Sequence, residues 1–192
     1  PLPERAAVIT IDDGYRSIYT VAYPALREFG LPASVFLTTA FVDSRQYLWT
    51  DRVEFAVNRA AAGVVDLAFG ATALSLDLRT VAGKRAAESR LRGLLKAIPQ
   101  ESRLGAVETI ERATGCTLLD AAGGTALYEP LTWNEAAEMA RSGLVSIGSH
   151  THTHVILARC DPARAAEELR TSKRIIEGRL GMPCTLFCYP NG

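Results

Sequence analysis

Three histidines occur in this 192-residue chain, and all of them stand within five consecutive positions: His150, His152 and His154. Imidazole is a common ligand for zinc and similar metals, and gathered imidazoles call for a partner that accounts for the gathering. Strict alternation also places all three on one face of an extended segment, so a polar surface strand is the plain alternative. A second pair of residues bears on the choice. The apolar run Ala6-Ala7-Val8-Ile9-Thr10-Ile11 leads into Asp12-Asp13-Gly14. Two adjacent carboxylates at the end of a buried strand are costly without something positive beside them. Asp-Gly is also a common turn signal, and taken alone the acid pair reads equally well as an exposed turn.

Two imidazoles and one carboxylate with an open coordination position are the ligand set of a catalytic zinc or a related divalent ion, not of a closed structural site. His150 and His154 are four residues apart, so one helical turn or a tight loop brings both to a single ion. Such an ion acidifies a bound water and polarises a carbonyl. One acid of the pair is then a ligand, and the other is free to take a proton from that water.

These residues need a scaffold that brings distant segments together. Val8 to Ile11 reads as a buried strand, Pro24 to Phe29 as a helix stopped by Gly30, and Ala33 to Leu37 as a second strand. Pro suits the first turn of a helix and Gly its C-terminal cap. Ala25, Leu26 and Phe29 supply the apolar face of that helix, with Tyr15 to Thr20 a loop or loose turn before it. Strand, helix, strand is the signature of parallel α/β architecture. The pattern resumes at Leu131. Thr132 and Glu135 form a capping box, and Ala136, Ala137, Met139 and Ala140 give the buried face of a helix ended by Gly143. Leu144 to Ile147 is a third strand running into the histidines. Asp161 and Pro162 open another helix, with Ala165, Ala166, Leu169, Ile176 and Leu180 as its apolar face. Cys184 to Cys188 is a fourth strand, ending in Tyr189-Pro190-Asn191-Gly192. In parallel α/β folds the carboxyl ends of the strands share one face, where sites are assembled. Asp12-Asp13, His150 with His154, and Tyr189-Pro190-Asn191 all fall at such ends.

Between 41 and 128 the pattern changes. Arg52 to Ala62, Lys84 to Ile98 and Glu101 to Thr114 read as helices, the last ended by Gly115. Val64 to Phe69 and Leu74 to Leu78 read as a hairpin around Gly70-Ala71. This block is expected to be an insertion subdomain within a single domain spanning 1–192. It carries apolar stripes and no chemical cluster.

Apolar residues make up 48% of the chain and charged residues 22%, as in a globular protein. The formal net charge is zero, which offers no basic field to nucleic acid and no polybasic patch to an anionic membrane. No apolar run reaches the roughly 18 residues a transmembrane helix needs, and no signal peptide stands in the chain, which starts at Pro1. Cys116, Cys160, Cys184 and Cys188 form no Cys-x-x-Cys pair, so a zinc ribbon is a weak reading and buried thiols are expected.

Thr10-Ile11-Asp12-Asp13-Gly14 resembles the T-F-D-D-G motif of the polysaccharide deacetylases, the NodB-homology or carbohydrate esterase family 4 proteins. His150-Thr151-His152-Thr153-His154 resembles their H-[S/T]-x-x-H motif, flanked by Leu131-Thr132-Trp133 and Gly148-Ser149. Phe187 to Gly192 resembles the third motif in its F-x-Y-P-x-G form. The resemblance implies a partial distorted (β/α) barrel, seven-stranded in the family, with about four of those strands in this chain.

It also implies roles. Asp12 is the general base. Asp13, His150 and His154 hold a divalent metal, usually zinc, with cobalt or nickel as alternatives. The backbone N–H of Asn191 joins the metal at the tetrahedral oxyanion, and Tyr189 and Pro190 accompany it at the substrate. Thr151 braces the loop by hydrogen bonding, and His152, with no assigned role, faces solvent or substrate. The reaction is removal of N- or O-acetyl groups from an N-acetylated polysaccharide or oligosaccharide, in the cell envelope or outside the cell. A metal-dependent amidase acting on a small amide uses the same ion and base. A non-catalytic glycan-binding module that keeps the metal site is the third reading. Two departures stand out. The Arg that steadies the base in the family's third motif is replaced by Cys188. The family's fourth and fifth motifs, with a histidine that protonates the leaving amine, are expected beyond Gly192. The expectation is therefore the N-terminal part of a longer deacetylase, with a metal site and an incomplete catalytic set.

Overall fold

The computed structural model describes residues 4–44, 46–69, 72–121 and 126–191. They form two compact units, one of residues 1–46 with 126–192 and one of residues 47–125.

In the first unit, β1 (Ile9–Ile11) delivers the chain to the acid pair. A wide π-type turn follows over Ile18–Ala22 and runs into α1 (Tyr23–Phe29), which carries Pro24 in its first turn and ends at Gly30 with φ 61°. β2 (Ala33–Leu37) comes next, and α2 (Thr39–Ser44) begins two residues after it. β1 and β2 pair in parallel, Ile9 opposite Ala33 and Ile11 opposite Val35. β2 is the central strand, and its Val35 and Leu37 are fully buried. Burying each such side chain contributes about 1.5–3 kcal/mol, which is why this strand reads as a continuous apolar run. β1 lies at the sheet edge. Val8, expected inside the first strand, stands before it and is 79% exposed.

Of the loop or loose turn expected over Tyr15 to Thr20, the turn is what forms: the Arg16 carbonyl accepts from both Tyr19 and Thr20 N–H and starts the wide turn. One further expectation changes here. The inner face of α1 is Tyr23 with Leu26, packed with Ile18, so Ala25 and Phe29 face outward and Phe29 is 69% exposed.

The second unit contains α3 (Trp49–Arg59), the antiparallel strands β3 (Val64–Phe69) and β4 (Thr72–Asp77), α4 (Val81–Ala97) and α5 (Gln100–Thr114). Val64 pairs with Asp77 and Phe69 with Thr72. The expected turn at Gly70-Ala71 lies outside the described residues. Leu67, Leu74 and Leu76 point to a core shared with Val53, Val57, Leu91, Leu95, Val107 and Ile110. α3 starts three residues earlier than its apolar spacing indicates, and α4 is capped by Thr80, whose hydroxyl accepts from Gly83 N–H. Arg52 and Glu111 form a buried ion pair through two hydrogen bonds, of 2.9 and 2.6 Å. A buried pair needs such fork geometry to offset its desolvation.

Back in the first unit, α6 (Trp133–Arg141) opens with the full capping box of Thr132 and Glu135. β5 (Val145–Ser149) pairs in parallel with β2 from Ala33 opposite Val145 to Leu37 opposite Ser149. Gly148 stands opposite Phe36, and a Cβ there would meet the Phe36 ring at 2.7 Å. α7 (Pro162–Leu180) is capped by Asp161, which accepts from Arg164 N–H. Its buried stripe is Glu168, Ser172 and Ile176, whereas Leu169 is 38% exposed.

Cys184 to Cys188, expected as a strand, is extended alongside β5 but holds a single bridge, Ser149 opposite Phe187. Pro183 has no N–H, and the Cys184 N–H is turned to the Glu177 carboxylate on α7, so neither donates to a ladder with β5. Among the described residues the parallel sheet therefore has three strands, in the order β1-β2-β5, with no closed barrel. No cysteine is in a disulfide, and only Cys184 is fully buried. No described helix is long and apolar enough to cross a membrane.

Candidate metal centre at the strand ends

The three parallel strands end side by side, and their last residues are latched by backbone hydrogen bonds. Asp13 has φ 73° and Gly14 φ 98°, which turns the chain sharply after β1. The Asp13 carbonyl accepts from Thr38 N–H at 3.0 Å, and the Gly14 carbonyl accepts from Leu131 N–H at 2.9 Å. A side chain at Gly14 is excluded twice, by its φ and by Val42 Cγ2 at 3.0 Å from a Cβ there. The histidine loop is fastened to the end of β2 in the same way. His150 N–H donates to the Leu37 carbonyl at 2.9 Å, and Thr39 and Ala40 N–H donate to the Thr151 and His152 carbonyls. Thr151 (φ 68°) and His154 (φ 56°) are both left-handed, an unusual conformation for residues with a Cβ. The loop thus folds into a tight turn that brings residues 150 and 154 together, with ring centroids 5.2 Å apart.

Asp13 faces them. Its Oδ1 lies 3.5 Å from His150 Nε2 and 3.2 Å from His154 Nε2. Two ligand atoms on one tetrahedral zinc, each about 2.0–2.1 Å from it, stand about 3.4 Å apart. The observed separations are those of ligands sharing an ion. Asp13 Oδ1 and His154 Nδ1 are buried with no hydrogen-bond partner among the described residues. Orphaned buried polar atoms are rare in native proteins, and of these two it is Asp13 Oδ1 that faces the imidazoles. His150 Nδ1 lies 3.0 Å from the Cys188 carbonyl, which holds Nδ1 as the donor and leaves the Nε2 lone pair towards Asp13. Burial first, and then the neighbouring His154, push the His150 pKa below its ordinary value despite the opposing pull of Asp13 and Asp12. A neutral imidazole is the form that binds a metal. Asp13, His150 and His154 therefore fit a divalent cation in ligand type and spacing.

The family model described as polysaccharide deacetylase matches residues 1–68 and 100–192. The chain belongs to the polysaccharide deacetylase family. The poly-beta-1,6-N-acetyl-D-glucosamine N-deacetylase of Escherichia coli K12 is 48% identical over 44 residues, which is 23% of this chain and 6% of that protein. Among solved structures, IcaB from Ammonifex degensii matches with TM-score 0.51 and 18% identity over 100% of this chain and 52% of its own. The Streptococcus pyogenes deacetylase PplD, solved with acetate, matches with TM-score 0.52 and 16% identity over 100% of this chain and 49% of its own. These two likenesses are of fold. The chain spans about half the length of these solved relatives and a far smaller share of the curated one.

The other anticipated residues of this deacetylase-family site are placed as follows. Asp12 is exposed beside the triad, and the Cys188 thiol, standing where the family carries Arg, reaches its Oδ2 at 3.8 Å. Burial, then the Asp12 charge, push the Cys188 pKa up, which favours the thiol as a weak hydrogen-bond donor to Asp12. Tyr189 is 62% exposed and packs edge-on against Phe187 at 4.8 Å. Pro190 is buried, and Asn191 is exposed with φ 63°. Gly192 lies outside the described residues.

His152 does not face solvent freely: it is half-buried, with Nδ1 2.9 Å from Thr39 Oγ1. The Thr151 hydroxyl is buried without a partner among the described residues. Its bracing comes from its backbone, through N–H to Ser149 Oγ at 3.2 Å and C=O to Thr39 N–H.

Sequence reasoning missed Glu168. This carboxylate, 2% exposed on α7, accepts from His152 N–H (2.9 Å), Thr153 N–H (2.8 Å), Thr153 Oγ1 (2.7 Å) and Arg164 Nη2 (2.7 Å). It ties down the middle of the loop whose two ends carry the histidine ligands. Nearby, Ser149 and Ser172 hydroxyls bond at 2.7 Å and link the end of β5 to α7. The signal in the sequence is the spacing Glu168, Ser172, Ile176, which marks one face of a helix packed beneath the histidines.

Proposed function

We propose that this chain carries the metal-holding part of the catalytic centre of a polysaccharide N-deacetylase, a hydrolase that releases acetate from N-acetylated sugars. The observation that supports it is the convergence of Asp13, His150 and His154 at separations of 3.2 and 3.5 Å, with Asp12 exposed beside them. When bound, a divalent ion supplies Lewis acidity at the acetyl carbonyl and a water acidified towards neutral pH. Zinc suits two nitrogens and an oxygen best, and cobalt or nickel are the alternatives.

The rest of the chemistry belongs to the chain. Asp13, His150 and His154 grip the cation, and the Cys188 carbonyl orients His150. Asp12 Oδ takes the proton of the attacking water as its oxygen bonds to the acetyl carbon. The Asn191 backbone N–H donates to the oxygen that gains charge, while Tyr189 and Pro190 line the approach of the sugar. The C–N bond then breaks, the amine leaves with a proton, and acetate remains. All three imidazoles are committed, two as ligands and His152 to Thr39. Asp12 then returns its proton to the leaving amine.

The name of the Escherichia coli relative supports a polymer of N-acetylglucosamine as the substrate class, and the proposed setting is the cell envelope or outside the cell. The experiment is acetate release from N-acetylglucosamine oligomers by the zinc- and cobalt-loaded chain, with Asp12→Asn as control. Metal-dependent release that falls by about 10²–10⁴-fold in Asp12→Asn supports the reading. Binding of the oligomer with no acetate release from either form supports instead a glycan-binding module with a retained metal site. Release from small amides but not from oligomers supports an amidase.

A further inference from the structure

Beside the triad stands a second group of potential ligands, which joins Asp12 and His150 to a thiol that the deacetylase chemistry above does not use. Asp12, Cys188 and one ring nitrogen of His150 each offer a ligand atom, and these atoms lie within 4.8 Å of one another. Cys188 Sγ and Asp12 Oδ2 are 3.8 Å apart. A thiolate about 2.3 Å and a carboxylate oxygen about 2.0–2.2 Å from one tetrahedral ion stand about 3.5 Å apart. A shift of a few tenths of an ångström, at an exposed aspartate, closes the set. The two sets differ in kind. Asp13, His150 and His154 offer nitrogen and oxygen, whereas Asp12, His150 and Cys188 add a thiolate, the donor that favours soft cations.

We propose that Asp12, His150 and Cys188 form an alternative coordination set for a soft, thiolate-preferring divalent cation, with cadmium as its natural probe, and that filling it disables the hydrolytic site. Binding forms an Sγ–metal bond and releases the thiol proton to solvent; nothing is oxidised. Because the sets share His150, an ion seated on Cys188 draws that imidazole from the Asp13 set. Because the second set includes Asp12, the same ion occupies the carboxylate that takes the water's proton. Where the family carries Arg, a cation that cannot bind metal, this chain thus carries a residue that exposes the site to soft-metal inhibition. The inference rests on the metal-centre reading of Asp13, His150 and His154.

The test is a pair of titrations of the 192-residue chain: cadmium, followed by ultraviolet thiolate-to-cadmium charge transfer, and cobalt, followed by its visible bands. The expected result is a charge-transfer band for one thiolate per chain, removed in Cys188→Ser and kept in Cys116→Ser and Cys160→Ser. Asp12→Asn keeps the band with affinity lowered about tenfold or more. His154→Ala keeps the cadmium band but lowers cobalt affinity, and His150→Ala weakens both. A band that persists in Cys188→Ser, or that disappears with another cysteine, overturns the second set. Cobalt affinity unchanged in both His154→Ala and Asp13→Asn overturns the first set instead, so the two failures are distinct.

Discussion

Asp13 shows how much a single residue is asked to do. It sits at φ 73°, accepts a backbone hydrogen bond from Thr38, and presents Oδ1 to two imidazoles. Asp tolerates the left-handed region better than most residues, and from there its short carboxylate reaches both histidines. Asp13→Asn is therefore expected to keep the fold and to lose metal affinity by more than about tenfold, measured by cobalt titration beside thermal unfolding. Gly14 is the complementary case. Gly14→Ala meets a forbidden φ together with Val42 and Leu37 within 3.1 Å, and should cost about 1–3 kcal/mol in urea unfolding. The grouping of Asp13 with His150 and His154 was legible only in combination, since the acid pair alone also reads as a turn and the histidines alone as a surface strand. Glu168 was not, because an acid next to Leu169 on a helix ordinarily faces water. Here the loop N–H groups of His152 and Thr153 reverse that preference.

At the scale of elements, α7 and the loop before it act as one piece. Removing a buried acceptor strands its donors, and each orphan costs about 1–3 kcal/mol. Glu168→Ala should destabilise the chain by several such increments and also weaken cobalt binding, since the loop ends carry His150 and His154. Glu168→Gln, which keeps one acceptor oxygen, should recover part of the metal affinity; recovery of stability alone would confine Glu168 to a packing role.

The α6 capping box makes a prediction about pH. Burial pushes the Glu135 carboxyl up, but the Thr132 N–H and the Arg16 guanidinium outweigh it and hold its pKa below the ordinary value. A depressed folded-state pKa contributes stability above the unfolded-state value, and that contribution is lost as pH falls through the folded-state value. Unfolding of wild type and Glu135→Gln should therefore differ near neutral pH and converge as pH drops below about 4. α6 was legible because capping chemistry is local. The Cys184 to Cys188 strand was over-read because its apolar run said nothing of the Glu177 carboxylate that takes its first N–H. The face of α1 was misjudged because Phe29 is apolar yet lies away from Tyr23 and Leu26.

For the molecule as a whole, parallel pairing is what turns scattered motifs into a site. β1, β2 and β5 end together, so residues more than a hundred positions apart meet without long side chains. That convergence followed from strand, helix, strand patterning alone. The open sheet did not, since pairing partners of edge strands are not written in local sequence. A cation that binds only the folded chain should also stabilise it, by about 2.7 kcal/mol at a free concentration a hundred times its dissociation constant. Zinc or cobalt should thus raise the unfolding temperature of wild type and leave that of His154→Ala nearly unchanged.

The most direct measurement is X-ray absorption at the zinc edge of the chain loaded with one equivalent of zinc. Two imidazole nitrogens and a carboxylate oxygen at about 2.0–2.1 Å, with no sulfur, are the predicted shell. A shell with fewer than two imidazoles, or one dominated by sulfur at about 2.3 Å, would contradict the joint grip of Asp13, His150 and His154.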